Sequence, residues 1–357
     1  MRIVIHAGLH KSGTSTVQQA WGRAYAAGAA GAGDVWYPEG GPGHHLLTWP
    51  LLGAFSQRRA PDLLLAALER RPPADGLHRV VREAGDRGVG TLVVSSEDLD
   101  RLVADDVPGL ADVVAGHEVL VVLTATRPVH RWASAWQELV KHGLAQLPRD
   151  AARHVTDLAA LDPGRLAEVA RLLPGDRTIV RLVRPSPPEP GLAADLARLA
   201  GLPPAVAPEL AARNTSLGPD VEVLRRVNAA GLGLGPKHGG RKALDAARDG
   251  GLAYRDDPAL AEGYRPPDAL WDAAATERDW LADPPEGVEV VDPHDQLAGW
   301  LDRRPPEWYE LAGRQAPVVP DLDARIAATD TAEQLWRARQ EIASLRARLR
   351  RARTSGA

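Results

Sequence analysis

The chain has 357 residues, enough for one large domain or two small ones, and 44% hydrophobic with 25% charged residues is an ordinary globular balance. A net charge of −4 argues against a nucleic-acid binder, and the lack of cysteine excludes disulfides, thiolate catalysis and cysteine-ligated zinc. No run approaches the ~20 apolar residues that span a bilayer, and no charged segment with a long apolar stretch opens the chain. Neither a membrane span nor a secretory signal is therefore expected, and a cytoplasmic location is.

In chain order, Arg2 to His6 reads as a buried strand, because Ile3, Val4 and Ile5 are β-branched and consecutive. Ala7 to Gly13 is a small turn carrying Lys11. From Thr14 the period becomes helical, with Val17, Ala20, Trp21 and Ala24 on one face. Strand, turn and helix in this order form an anion cradle. The first helical turn has unpaired N–H groups, the helix dipole is positive there, and Gly8 and Gly13 allow close backbone approach. Lys11 adds a charge, and Thr14, Ser15 and Thr16 add hydroxyl donors.

Asp34 to Tyr37 is expected as the second strand, followed by a turn-rich loop with His44 and His45. An imidazole there is either a surface group or an acid/base at the mouth of a site. Residues 61 to 85 suggest two helical segments broken at Pro72-Pro73. Gly90 to Ser96 is a continuous apolar strand of the kind covered on both faces. It ends in Ser95-Ser96-Glu97-Asp98, where Glu97 is either a general base at a strand's carboxyl end or part of a helix cap.

His117 to Thr126 gives another strand, running into Arg127-Pro128 and, seven residues past Arg127, Ser134. Residues 164 to 173 read as a helix, Thr178 to Val183 as a strand closing on Arg184, and the stretch from Gly191 as an amphipathic helix. Arg213 to Leu217 precedes a helix through Val227, and a basic glycine-rich loop carries Lys237, Arg241 and Lys242. Val288 to Val291 is expected as the last strand and Gln296 to Leu301 as the start of a helix. The prolines past 304 suggest a linker over 305–330. Beyond it, Leu335, Ala338, Ile342, Leu345 and Leu349 make a short heptad seam within 331–354, either a coiled coil that makes the chain a homo-oligomer, a helix that docks on a partner, or a terminal helix packed on the domain.

Two of these stretches carry a resemblance. Lys11-Ser12-Gly13-Thr14-Ser15-Thr16 differs from the ATP-type loop, which places its lysine after the second glycine. It resembles the 5′-phosphosulfate loop of sulfotransferases that use 3′-phosphoadenosine 5′-phosphosulfate (PAPS). The Arg127-Pro128 and Ser134 pattern is similar to the same family's 3′-phosphate signature, in which arginine offers a paired charge-assisted fork and serine a neutral donor. Many members place one residue between the arginine and the proline, so Arg131 is an alternative partner. The resemblance covers residues 2 to about 228.

It implies an α/β fold with a central, mostly parallel sheet flanked by helices, of P-loop sulfotransferase type, over 1–304. It also implies PAPS as co-substrate and sulfuryl transfer, without a metal, to a hydroxyl or amine of a carbohydrate, lipid or small metabolite. Lys11 would stabilise the leaving phosphate oxygen, and the Ser12 to Thr16 backbone would hold the 5′-phosphate. Glu97 or His45, with His44 as the alternative histidine, would take the acceptor proton. By the same resemblance Lys141 could reach the nucleotide or the substrate, Arg184 is either a site residue or a solvated strand-end arginine, and Asn214 either lies near the nucleotide or belongs to a cap and turn. Two other readings stay open: an ATP-dependent phosphotransferase with Glu97-Asp98 as a magnesium-binding pair, and a non-catalytic scaffold that assembles through the C-terminal helix.

Overall fold

The structure is a computed structural model that describes residues 1–26, 34–38, 43–52, 76–184, 191–203, 217–229, 244, 245 and 247–318. The expected helix at 331–354, Asn214, Lys237, Arg241, Lys242 and the proposed segment at 61–75 lie outside the described residues. The chain divides into two compact units rather than one domain over 1–304. The first comprises 1–135, 152–215 and 266–306, and the second 136–151, 216–265 and 307–357.

The first unit is α/β. Its strands are β1 (Arg2–Gly8), β2 (Val35–Trp36), β3 (Thr91–Ser95), β4 (Glu118–Ala125), β5 (Arg177–Leu182) and β7 (Val288–Val291). They form one six-stranded sheet in the order β2-β3-β1-β4-β5-β7, and every pairing is parallel. A sheet buried on both faces needs apolar residues at successive positions, which is why these strands read as runs rather than alternations.

The two faces carry separate apolar layers. Ile3, Ile5, Leu92, Val94, Val121 and Leu123 point to one side. There they meet α3 (Gly76–Asp86), α4 (Val107–Val114), α7 (Arg165–Leu172) and Leu281 of α11 (Ala269–Ala282). Val4, Val93, Leu120, Val122 and Ile179 point to the other side, against α1 (Thr14–Ala26) and α8 (Leu192–Leu199). The α1 stripe is the expected one: Val17, Ala20, Trp21 and Ala24 are all buried, and the Trp21 indole N–H donates to Ala193 O at 3.1 Å. Also in this unit are α2 (His45–Thr48) and α6 (Ala152–Ala159). The helix α5 (Pro128–Lys141) contributes to both units, with Ala135 ending its part in the first.

The second unit contains α9 (Asp220–Val227), α10 (Pro258–Tyr264), α12 (Glu307–Ala312) and an antiparallel pair of β6 (Ala253–Asp256) with β8 (Gln315–Val318). Its centre is aromatic: Trp136, Tyr264 and Tyr309 meet edge to face with ring centroids 5.0 to 5.9 Å apart. Buried Glu222 is satisfied there by the Tyr264 hydroxyl at 2.9 Å and by both ends of the Arg225 fork. Lys141 pairs with Glu138 at 3.7 Å within this unit.

Two expectations are corrected. Gln296 to Leu301 forms turns rather than a helix start; the Asp292 carboxylate accepts the N–H groups of Gln296 and Leu297 and fixes the chain in a loop. The first part of 305–330 is not a linker, since it holds α12 and β8. Pro305 and Pro306 lead into α12, which is where a helix tolerates proline. Pro317 sits in β8, which among the described residues pairs with β6 and is an edge strand, a place where proline is tolerated. Among the described residues, no helix is long and apolar enough to cross a membrane.

Candidate functional site

In an open parallel sheet, ligands gather at the carboxyl ends of strands where neighbouring connections leave to opposite faces. Here that point lies between β1 and β3. After β1 the chain turns into α1 on one face, and after β3 it passes through a 3-10 turn, Glu97–Arg101, towards α4 on the other.

The turn after β1 is tightly built. Leu9 N–H donates to Thr124 O at 3.1 Å, extending the β1–β4 ladder. Ser12 N–H closes onto Leu9 O at 3.1 Å, and Thr16 N–H onto Gly13 O at 3.0 Å. The Ser12 hydroxyl faces inward, donating to Leu9 O at 2.6 Å and lying 2.9 Å from Thr124 Oγ1. Of the Ser12 to Thr16 amides, then, those of Ser12 and Thr16 serve the turn itself, leaving Gly13, Thr14 and Ser15 at the open end of α1. Lys11 has φ 71° and Gly13 φ 89°.

Gly8 has no room for a side chain, since a β-carbon there would run into Thr124 Oγ1, Thr14 Cγ2 and, at 2.8 Å, Ser12 Oγ. Gly8→Ala is expected to cost about 1–3 kcal/mol through overpacking, read as a lowered urea midpoint. An unchanged midpoint would mean that the turn is not packed in this way.

Across the switch point, the 3-10 turn answers this loop with three carboxylates. Thr14 Oγ1 donates to Glu97 Oε2 at 2.6 Å. Asp100 Oδ2 accepts both the backbone N–H of His10 at 2.7 Å and its ring Nδ1–H at 2.6 Å. Asp98 lies between two imidazoles, 2.9 Å from His45 Nδ1 and 3.6 Å from His10 Nε2. Ser96 does not cap the turn; its hydroxyl meets Thr48 Oγ1 at 2.9 Å.

These contacts set the charges. Burial pushes the His10 imidazole down, but Asp100, by charge and hydrogen bond, and Glu97 together carry it above the ordinary histidine range. Burial likewise acts against His45, and Asp98 and Glu97 outweigh it to raise that ring too. Burial pushes Glu97 up, yet His10, the Thr14 hydroxyl, His45 and Lys11 hold it below the usual carboxylate range.

The adjacent His44 behaves differently. It is buried, its Nδ1 accepts Ser95 N–H at 2.9 Å and its Nε2–H donates to Pro38 O at 3.0 Å. Burial lowers its pKa to about 4. His44 therefore braces the core as a neutral ring, and His45 is the histidine that faces the carboxylates.

The arginine–serine stretch begins beyond β4. The β1–β4 register pairs Gly8 with Thr124, so both turns leave neighbouring parallel strands at the same end. Arg127 is half-buried; Nη1 donates to Gly299 O at 3.3 Å and lies 3.6 Å from Asp302 Oδ2, and Nη2 donates to His130 Nε2 at 2.6 Å. Ser134 sits half-buried on α5, and Arg184 half-buried just past β5. Arg131, the alternative phosphate partner, is fully buried with Nη2 at 2.5 Å from Glu277 Oε1. Its charge is committed to the interior, which removes it from that role.

The fold thus brings together Lys11, Thr14, Glu97 and, through Asp98, His45. Sequence reasoning missed His10 and Asp100 as members of the group. The available signal was the acidic Glu97-Asp98-Leu99-Asp100 run at a strand end together with a histidine beside Lys11. Fold and site define a helix-flanked parallel sheet with a charged turn at its switch point. A scan against protein-family models, a search of curated proteins and a search of solved structures each found no match.

Proposed function

We propose that this chain is a P-loop-type sulfotransferase that moves a sulfuryl group from PAPS to a hydroxyl or amine acceptor. The observation that carries the reading is the lysine-before-glycine turn at the β1–β3 switch point, closed against Glu97 by the Thr14 hydroxyl at 2.6 Å. The donor set suits a phosphosulfate: one lysine, the open amides of Gly13, Thr14 and Ser15, and no β-carbon at Gly8 to fill the turn. Arg127 and Ser134 supply a fork and a hydroxyl beyond the neighbouring strand for a 3′-phosphate. Arg127 would then exchange its contacts at Gly299 and Asp302 for that group.

In this reading Lys11 and the open amides neutralise charge on the 5′-phosphate oxygen as its bond to sulfur breaks and that oxygen keeps the electron pair. The acceptor oxygen or nitrogen forms the new bond to sulfur, and its proton passes to Glu97. Glu97 is the assigned base of the two candidates, because its pKa is held below the usual carboxylate range and so keeps it in the proton-accepting form, whereas Asp98 and Glu97 shift His45 towards its proton-bearing form. His45 adds positive charge beside the acceptor. The ATP–magnesium alternative would have Glu97 and Asp98 exchange their present contacts with Thr14 and His45 for the metal.

Calorimetric titration with 3′-phosphoadenosine 5′-phosphate against ATP–Mg tests the reading. Preference for the former is expected, and preference for ATP–Mg would sink it. Lys11→Ala is expected to lower turnover by about 10²–10³-fold, the scale for losing one preorganised charge-stabilising group.

A further inference from the structure

Lys11 holds a left-handed backbone conformation, φ 71°, without being glycine. Such a conformation costs free energy and persists where the surroundings over-determine it. The residue before it supplies the constraint. Both N–H groups of His10, main chain and ring, end on one oxygen of Asp100, at 2.7 and 2.6 Å. Asp100 is itself buried and cannot follow a relaxing loop. Its backbone is pinned from the opposite side, since Arg165 of α7 donates from Nε to Asp100 O at 2.9 Å and from Nη2 to Leu102 O at 2.7 Å.

We propose that Asp100 is a positioning residue, whose carboxylate clamps His10 and so holds Lys11 in the left-handed conformation that aims its ammonium at the anion turn. The functional half rests on the reading of that turn given above, whereas the conformational half does not. A carboxylate suits the task, because two charge-assisted bonds to one oxygen fix both the main chain and the ring of the neighbouring residue. Nothing in the local sequence of the turn requires the strain: the clamp reaches it from 90 residues away.

Two measurements on the full chain test this. The first needs no ligand. The ¹³Cα and ¹³Cβ shifts of Lys11 should carry a left-handed signature in the unchanged chain and lose it in Asp100→Ala; a signature that survives overturns the proposal. The second is titration with 3′-phosphoadenosine 5′-phosphate in a double-mutant cycle. Asp100→Ala should weaken binding about tenfold when Lys11 is present and less than about twofold in a Lys11→Ala background. Equal losses in both backgrounds, or none, overturn the proposal and leave the reading of the turn intact. Failure of the unchanged chain to bind overturns the reading of the turn and, with it, the functional half.

Should the alanine variant fail to fold, Asp100→Asn takes its place. Its amide oxygen accepts the backbone N–H but lacks the charge for the ring. An altered Lys11 signature, with a loss of binding that depends on Lys11, is expected; an unaltered signature overturns the proposal.

Discussion

Arg131→Leu is expected to destabilise the chain by about 3–5 kcal/mol, the scale for stranding one partner of a buried ion pair. Arg131 and Glu277 are both fully buried, 2.5 Å apart, and tie α5 to α11 within the first unit. Removing the guanidinium leaves Glu277, whose carboxyl burial already pushes above the usual range, with no compensating charge. Glu277→Leu should cost a similar amount by stranding Arg131. The double variant Arg131→Leu/Glu277→Leu should recover most of either loss, because among the described residues Arg131 Nε and Nη1 find no hydrogen-bond partner, so the pair as it stands is not fully satisfied. Urea unfolding of the three variants checks this. Additive losses would show that the pair is not the closed unit described.

Stability should peak near pH 6.5 and fall on both sides. Burial lowers the pKa of His6 to about 3, of His44 to about 4 and of His130 to about 3. These rings stay neutral when folded while the unfolded chain takes up protons as pH falls through about 6.5. The sign is fixed by proton count: the unfolded state then binds more protons, so stability drops with pH. At most each such histidine contributes a slope of about 1.4 kcal/mol per pH unit, or about 4 kcal/mol per pH unit for the three together, between pH 6.5 and 4.

On the alkaline side the imbalance reverses. His10 and His45 have raised folded pKa values, so their stabilisation is complete below about 6.5 and is lost as pH rises through those values. Glu97, held low, adds to the acid-side loss once pH falls below the ordinary carboxylate range. Urea midpoints measured from pH 5 to 9 test the shape. A stability that rises from pH 6.5 to pH 5 contradicts the neutral core histidines.

The same residues show what was readable in the chain. Strands β1, β3, β4 and β5 were legible because a sheet covered on both faces demands runs of apolar residues, and that demand is local; the edge strand β7, interrupted by exposed Glu289, was legible from its β-branched valines. The helix α1 was legible because its buried stripe recurs at the helical period. The strand–turn–helix junction with Lys11 and Gly13 was legible because the change from a consecutive apolar run to the helical period is local. The prolines after 304 misled because proline permits a helix start and an edge strand as readily as a linker, and the choice depends on which N–H groups the neighbours leave unused.

By itself, then, the amino-acid order determined the α/β class, the main strands and the lysine-bearing turn, since periodicity and backbone freedom act within a few residues. Only tertiary structure decided which of two adjacent histidines is neutral core and which faces carboxylates. It alone turned Arg131 inward to Glu277 and brought Asp100 to His10. Those outcomes depend on pairings between groups about 50 to 146 residues apart, and a side chain's charge state follows from burial and partners that no local pattern encodes.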